Sequence, residues 1–176
     1  HAELLFCYAL MGRKNKPRSV PPPKVGAAQT SLPPAYTPGE QGLTFREIGE
    51  QTPVFSFRYL SLGKSNRCFN GTEVATRDFI ALFEKLKSIS AKSYRELSVN
   101  PYFRFHRIDL KDPRVCLSQT EYIRMLTNQP DKFDPDQAPP LYQFDAFKEA
   151  RCAGFLYMGV FYLIWLDRGH NIYKRK

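Results

Sequence analysis

Cysteines are few in this 176-residue chain, and no two of them stand close together. The four are Cys7, Cys68, Cys116 and Cys152. There is no CxxC pair and no cysteine with a neighbouring histidine, which excludes the usual zinc spacings and indicates reduced thiols in a cytoplasmic protein. We therefore expect no metal site in this chain.

Long apolar runs are missing as well. Residues 160–166 form the longest continuous run of the C-terminal half, and they fall far short of the roughly 20 residues that a membrane-spanning helix needs. The apolar residues near the start have no basic region before them, as a signal peptide would. We expect no membrane association, and we interpret residues 1–10 as an added or trimmed end before a natural start at Met11.

The common catalytic and nucleotide-binding motifs are absent. The sequence has no GxxxxGK[ST], GxGxxG, HExxH or GxSxG, so phosphate-binding loops, zinc proteases and serine hydrolases have no support, and no cofactor is expected. Acidic residues are outnumbered by basic ones, 17 to 26, and the net charge is +9. This excess favours an anionic partner such as nucleic acid or an acidic protein surface, although many basic domains have neither.

Residues 12–39 contain no acidic residue, five basic residues and seven prolines. A segment with so little to bury cannot offset its ordering entropy, so we predict an extended or disordered arm over residues 1–43, followed by a single domain over residues 44–176. The arm contains PPAY at residues 33–36. This matches the PPxY pattern that WW domains bind, so the arm could dock on a protein partner.

Periodicity in the rest of the chain predicts an α+β fold. We expect an antiparallel sheet of about five or six strands, with two or three helices mainly on one face. The predicted strands are 53–62, 102–109, 141–147, 151–157, 160–167 and 171–175, and the predicted helices are 73–89, a short one after Ser93, and 119–128. Strand 160–167 is apolar on both faces, with Phe161, Leu163 and Trp165 on one side, which indicates an interior strand.

Two histidines carry the catalytic hypothesis. His106 shares a predicted strand face with Arg104, and His170 follows the apolar strand between Asp167 and Tyr173. Two histidines near cations could divide the general base and general acid roles of metal-independent RNA cleavage. We expect Asp167 to hydrogen-bond His170 across an Arg168-Gly169 turn and to favour the protonated imidazole. The alternative is structural: a polar rim residue at 170, and at 106 a buried hydrogen-bonding partner of Asp109 or of a backbone carbonyl.

Basic residues at the two ends of the chain are the candidate nucleic-acid contacts. They are Arg13, Lys14, Lys16, Arg18, Arg168, Lys174, Arg175 and Lys176. Lysine and arginine supply affinity for phosphates that does not depend on sequence. For the N-terminal group the alternative is a solubilising tail.

The strand RFHRID and the closing segment FYLIWLDRGHNIY resemble a group of small bacterial and phage proteins. These combine an RFHxID strand with a terminal FYxxWxDxxHxxY, and the likeness covers roughly residues 54–176. The resemblance implies a bacterial cytoplasmic protein with a toxin-like or defence-associated role, and it transfers no catalytic residues. Our leading hypothesis is an RNA-associated protein, with metal-independent ribonuclease activity as its enzymatic form; the alternative is a non-enzymatic protein-interaction module.

Overall fold

The computed structural model describes residues 35–63, 67–70 and 74–174, and in this part of the chain the α+β prediction is confirmed. The helices are α1 (Phe45–Ile48), α2 (Thr76–Ser90), α3 (Tyr94–Val99) and α4 (Gln119–Leu126), with short 3₁₀ turns at Pro130–Lys132 and Pro135–Gln137. The strands are β1 (Val54–Ser56), β2 (His106–Arg107), β3 (Leu141–Asp145), β4 (Arg151–Tyr157) and β5 (Val160–Asp167). Strands β1 and β2 are much shorter than the sequence predicts.

The five strands form one sheet in the order β1-β5-β4-β3-β2. Neighbours from β5 to β2 are antiparallel, as expected, whereas β1 runs parallel to β5. The sheet is therefore mixed. A parallel pair needs a long crossover rather than a tight turn, and the residues between β1 and β5, which contain three helices and three strands, supply it. Strand β5 lies between β1 and β4, so its prediction as an interior strand is confirmed.

The β4–β5 hairpin closes at Met158-Gly159, as predicted. Both turn residues have positive φ, 51° at Met158 and 81° at Gly159, which is the geometry of the two-residue turns that match strand twist. A Cβ atom added at Gly159 would lie 2.0 Å from Oε1 of Gln51. Glycine at 159 therefore meets both a conformational and a steric need.

Strand β5 contains a β-bulge that changes which residues share a face. Leu163 pairs with Gly154 while Trp165 pairs with Ala153, so Ile164 is an extra residue in β5. Trp165 consequently joins Ile164 on the face covered by α4, and Leu163 lies on the face covered by α2 and α3. The prediction that Trp165 shares a face with Leu163 is wrong, because strict alternation fails at a bulge.

Helix boundaries follow local capping groups. Ser93 and Glu96 form the predicted capping box: the Ser93 hydroxyl accepts the Glu96 N–H at 3.2 Å and the Glu96 carboxylate accepts the Ser93 N–H at 2.7 Å. Ser118 caps α4, also as predicted. Helix α2 begins later than expected, and Phe83 is 58% exposed rather than buried. Its buried stripe runs instead through Leu82, Leu86 and Ile89.

Over residues 171–174, the described part of the predicted strand 171–175, the C-terminal segment forms no strand. It turns at residues 171 and 172, and Tyr173 makes an isolated antiparallel bridge with Val115. The N–H of Cys116 donates to the Ile172 carbonyl at 2.7 Å. The segment therefore packs beside the chain that precedes α4 instead of extending the sheet.

Tyr36 lies within the predicted arm but is 1% exposed in the core. Its ring lies edge-on to Phe155 and Tyr157, with centroids 4.9 and 5.1 Å away. Its N–H donates to the Tyr162 hydroxyl at 3.1 Å. Packed structure therefore begins before residue 44, and the tyrosine of PPAY is not presented to a WW domain. Residues 1–34, with Arg13, Lys14, Lys16 and Arg18, lie outside the described residues.

None of the helices in the described ranges has the length and apolar character needed to cross a membrane.

Candidate functional site

A row of charged residues crosses the sheet where β3 and β5 end and β4 begins. Asp145 pairs with Arg151 in the β3–β4 register, and Arg151 pairs with Asp167 in the β4–β5 register. Arg104 lies beside the row, with its Nε 3.7 Å from Oδ2 of Asp145. The signs alternate along the row, so each neighbouring pair attracts.

Arg151 is the buried cation of this row, with 4% of its surface exposed. Its Nε lies 2.9 Å from Oδ1 of Asp145, an ion pair, and its Nη1 donates to the carbonyls of Glu149 and Ala150 at 3.0 Å each. Burial lowers the pKa of the guanidinium, but arginine stays protonated in proteins. Its Nη2 group makes no hydrogen bond to another described residue and is available to an anion.

Arg104, Asp145 and Arg151 of this row line an open cleft of about 620 Å³. The cleft is lined by Arg104, Asp145, Lys148, Glu149, Arg151, Gly169, His170, Tyr173 and Lys174. Four of these side chains are cationic and two are carboxylates, which gives +2 with histidine neutral. Lys148 also pairs with Asp78 at 3.6 Å. The lining is therefore moderately positive, and one of its two carboxylates, Asp145, pairs with Arg104 and Arg151.

Three residues of the cleft have left-handed backbone conformations. Arg104, Lys148 and His170 have φ of 46°, 49° and 54°, and among the described residues Met158 is the one other non-glycine with positive φ. Residues other than glycine adopt this backbone region at a cost in free energy, and such conformations concentrate at functional sites. The strain supports this cleft as the candidate site.

Asp167 does not bond to His170, so the predicted carboxylate–imidazole pair is wrong. Asp167 is 1% exposed, and its Oδ1 and Oδ2 accept the backbone N–H groups of Asn171 and Ile172 at 2.7 and 2.8 Å. These bonds close a turn that places His170 in the cleft. Asp167 is a positioning residue for that turn.

His170 has its pKa lowered, opposite to the prediction. Burial is the main cause, and the positive charge of Arg151 acts in the same direction. The negative charge of Asp167 raises the pKa but has a smaller effect. The imidazole is therefore neutral at pH 7, the form that a general base needs.

His106 is exposed on the edge strand β2 and does not line the cleft. Its Nδ1 lies 2.8 Å from the Arg104 carbonyl, which can only accept, so Nδ1 carries the proton. In the neutral ring Nε2 then accepts from the Gln143 amide at 3.2 Å. The structure does not bring His106 into one site with His170. His106 instead bonds the strained Arg104 backbone, as its structural alternative expected, but the ring is exposed rather than buried.

The other predicted site residues near the C-terminus divide into three groups. Tyr173 and Lys174 line the cleft, and the Lys174 N–H donates to the Arg114 carbonyl at 2.8 Å, which fixes this segment. Burial raises the pKa of Tyr173, so its phenol is protonated at neutral pH. Arg168 is half-buried and does not line the cleft. Arg175 and Lys176 lie outside the described residues.

Sequence reasoning missed Asp145, Lys148, Glu149 and Arg151, which come from the β3–β4 hairpin. A signal for two of them was present in the sequence. Asp145 lies near the end of one predicted strand, 141–147, and Arg151 opens the next, so a hairpin between these strands brings opposite charges near each other. Lys148 and Glu149 lie in the turn itself, where a solvated charge is the ordinary interpretation.

Among the residues that the structure describes, no three histidine, cysteine, aspartate or glutamate side chains are grouped as a metal site requires. Comparison of the chain with family models, curated proteins and solved structures found no match.

Proposed function

We propose that the protein binds RNA in this cleft and cleaves it without a metal ion. The observation that carries the proposal is the convergence of four cations, His170 and Tyr173 on one open cleft of about 620 Å³. The excess of basic residues over the whole chain supports an anionic ligand.

Phosphate binding is assigned to the cationic side chains. Arg151 is held by Asp145 and by two carbonyls, so its free Nη2 offers a fixed pair of donors. Arg104 and Lys174 are more exposed and supply long-range attraction that weakens as salt rises.

RNA cleavage needs a general base, a general acid and groups that stabilise the negative charge of the phosphorane. RNA supplies its own nucleophile, the 2′-hydroxyl. His170 removes its proton, the 2′-oxygen attacks phosphorus, and the bond from phosphorus to the 5′-oxygen breaks. Tyr173 gives its phenolic proton to the departing 5′-oxygen, and Arg104 and Arg151 stabilise the charge on the phosphorane. The products are a 2′,3′-cyclic phosphate and a 5′-hydroxyl.

The test is cleavage of a labelled mixed-sequence RNA in EDTA, with a filter-binding titration of the same RNA. We expect His170→Ala to abolish cleavage while the dissociation constant stays within about threefold, and Lys87→Gln on α2 to leave both unchanged. DNA of the same sequence should bind but remain intact. Intact RNA with the wild-type protein, or equal cleavage with alanine at 170, would overturn the catalytic proposal.

A second candidate is a protein-interaction module. Ile80 and Phe83 lie three residues apart on α2 and are 57% and 58% exposed, an arrangement that suits docking of a partner. Ultraviolet absorbance separates the two candidates. Nucleic acid that co-purifies at low salt and is removed at high salt favours RNA binding. Protein free of nucleic acid at both salt concentrations favours the interaction module.

A further inference from the structure

A second cleft, of about 560 Å³, lies between the chain that follows β1 and the C-terminal end of α4. Three cations line it, Arg58, Arg124 and Lys132, and none of its lining residues is acidic. The first cleft, in contrast, contains two carboxylates. The second cleft is thus the more uniformly positive of the two.

The two clefts are separate places on the fold. Tyr59 of the second cleft packs on Phe155 of β4, with ring centroids 5.4 Å apart. Arg151 of the first cleft lies on the same strand and the same side, four residues earlier. At a rise of roughly 3.3 Å per residue this is about 13 Å. The two clefts share no lining residue.

The three cations of the second cleft are not explained by ion pairs. Arg58, Arg124 and Lys132 are exposed, and none forms a salt bridge with another described residue. Arg124 lies in the last turn of α4, where a cation offsets the helix dipole. That reason does not apply to Arg58, which follows β1. Like charges gathered at one cleft repel one another unless an anion binds between them.

Aromatic rings stand beside these cations. Tyr59 and Phe133 both line the cleft and both are half-buried. The Arg58 guanidinium carbon lies 5.8 Å from the centre of the Tyr59 ring, a cation–π contact. Because every nucleobase has a π-face, rings and guanidinium planes of this kind bind bases by stacking.

We propose that this second cleft binds a single nucleotide. Arg58, Arg124 and Lys132 take its phosphate, and the base stacks against Tyr59 or Phe133. The volume lies within the roughly 300–1,000 Å³ typical of small-ligand sites. The proposal does not depend on cleavage at His170, because the two sites share no lining residue.

The test titrates the full chain with adenosine 5′-monophosphate by calorimetry at low salt, with adenosine and inorganic phosphate as separate ligands. The nucleotide should bind at least about tenfold more tightly than either part, since both halves of the site then contribute. The variant Arg124→Gln/Lys132→Gln should weaken nucleotide binding by about tenfold or more. The control Arg77→Gln/Lys87→Gln removes equal charge from exposed positions of α2 and should change binding by less than about twofold.

Arg104→Gln/Lys174→Gln tells the two clefts apart, because it removes two phosphate-binding cations of the first cleft and leaves the second intact. Its nucleotide affinity should equal that of the wild type. Loss of affinity in that variant would place the nucleotide in the first cleft and overturn the proposal. Equal losses in the site and control variants, or binding no tighter than phosphate alone, would overturn it as well. Those results leave the ribonuclease proposal standing, because its own test is cleavage.

Discussion

Asp167 accepts the backbone N–H of Ile172 at 2.8 Å, and this bond sets the geometry of the C-terminal end of the sheet. Its other carboxylate oxygen accepts the N–H of Asn171 at 2.7 Å. Two charge-assisted bonds from one buried side chain close the turn that follows β5. His170, between Asp167 and these donors, is thereby held at φ 54° in the charged cleft. The DxxH spacing therefore encodes a turn rather than a catalytic pair.

Asp167→Ala should lower the free energy of unfolding by about 3 kcal/mol, because the buried N–H of Ile172 and the half-buried N–H of Asn171 lose a charged acceptor. Asp167→Asn retains one carbonyl oxygen and should cost roughly half as much. Urea denaturation followed by circular dichroism measures both. If the two variants match the wild type, the turn is held by other contacts.

His170 should titrate below the ordinary histidine pKa of about 6.5, because burial and Arg151 both oppose its protonation. At pH values below about 6.5 the unfolded chain then binds more protons than the folded chain, so the free energy of unfolding rises with pH in that window. The contribution of His170 to stability is lost as the pH falls through its folded pKa. His170→Gln should flatten this pH dependence.

The measurement is an NMR titration of the imidazole protons, with His106→Gln used for assignment. A His170 pKa at or above the ordinary value would show that Asp167 outweighs burial. Any RNA cleavage would then need a different base.

The bulge in β5 places Trp165 in the core, 2% exposed, near Tyr122 of α4 at 6.3 Å between ring centroids. Trp165→Ala should cost about 3–5 kcal/mol, as truncation of a buried aromatic ring does. Phe83→Ala, at an exposed position, should stay within about 0.5 kcal/mol of the wild type. Chemical denaturation of both variants checks the pair, and a near-neutral Trp165→Ala would contradict the packing of α4 on this face.

Local rules predicted much of the fold. The Ser93 capping box, the Ser118 cap and the Met158-Gly159 turn each depend on residues within a few positions of one another, and each is present in the structure. The antiparallel hairpin of β4 and β5 follows from the same kind of signal. Such features need no knowledge of the distant chain.

Non-local pairing explains what the sequence did not reveal. The parallel partner of β5 is β1, which lies more than a hundred residues earlier, and no local pattern specifies it. The bulge at Ile164 depends on how β4 and β5 pair, so alternation alone placed Trp165 on the wrong face. The pairing of β3, β4 and β5 likewise determines that Asp145, Arg151 and Asp167 lie side by side at one end of the sheet.

The candidate site was predicted in part. His170, Tyr173, Arg104 and Lys174 do converge on one cleft. The sequence predicts His106 as the second histidine of a catalytic pair, on one strand face with Arg104, but its ring bonds to the Arg104 carbonyl and to Gln143. Its position on an edge strand, rather than the spacing in sequence, decides that it stays out of the cleft.

Tyr36 should be essential for stability, although the sequence pattern placed it in a solvent-exposed arm. Tyr36→Ala removes a ring packed against Phe155 and Tyr157 and should cost about 3 kcal/mol or more. Val99→Ala, at a position 76% exposed, is the matched control and should be near neutral. Thermal unfolding measures both.

The burial of Tyr36 also predicts how the chain interacts with a WW domain. A peptide spanning residues 30–39 presents PPAY freely and should bind a WW domain that recognises PPxY, whereas the folded chain should not, because Tyr36 is 1% exposed. Fluorescence polarisation of a labelled WW domain with each ligand compares the two. If the folded chain binds as tightly as the peptide, Tyr36 leaves the core readily, and its contribution to stability must then be small.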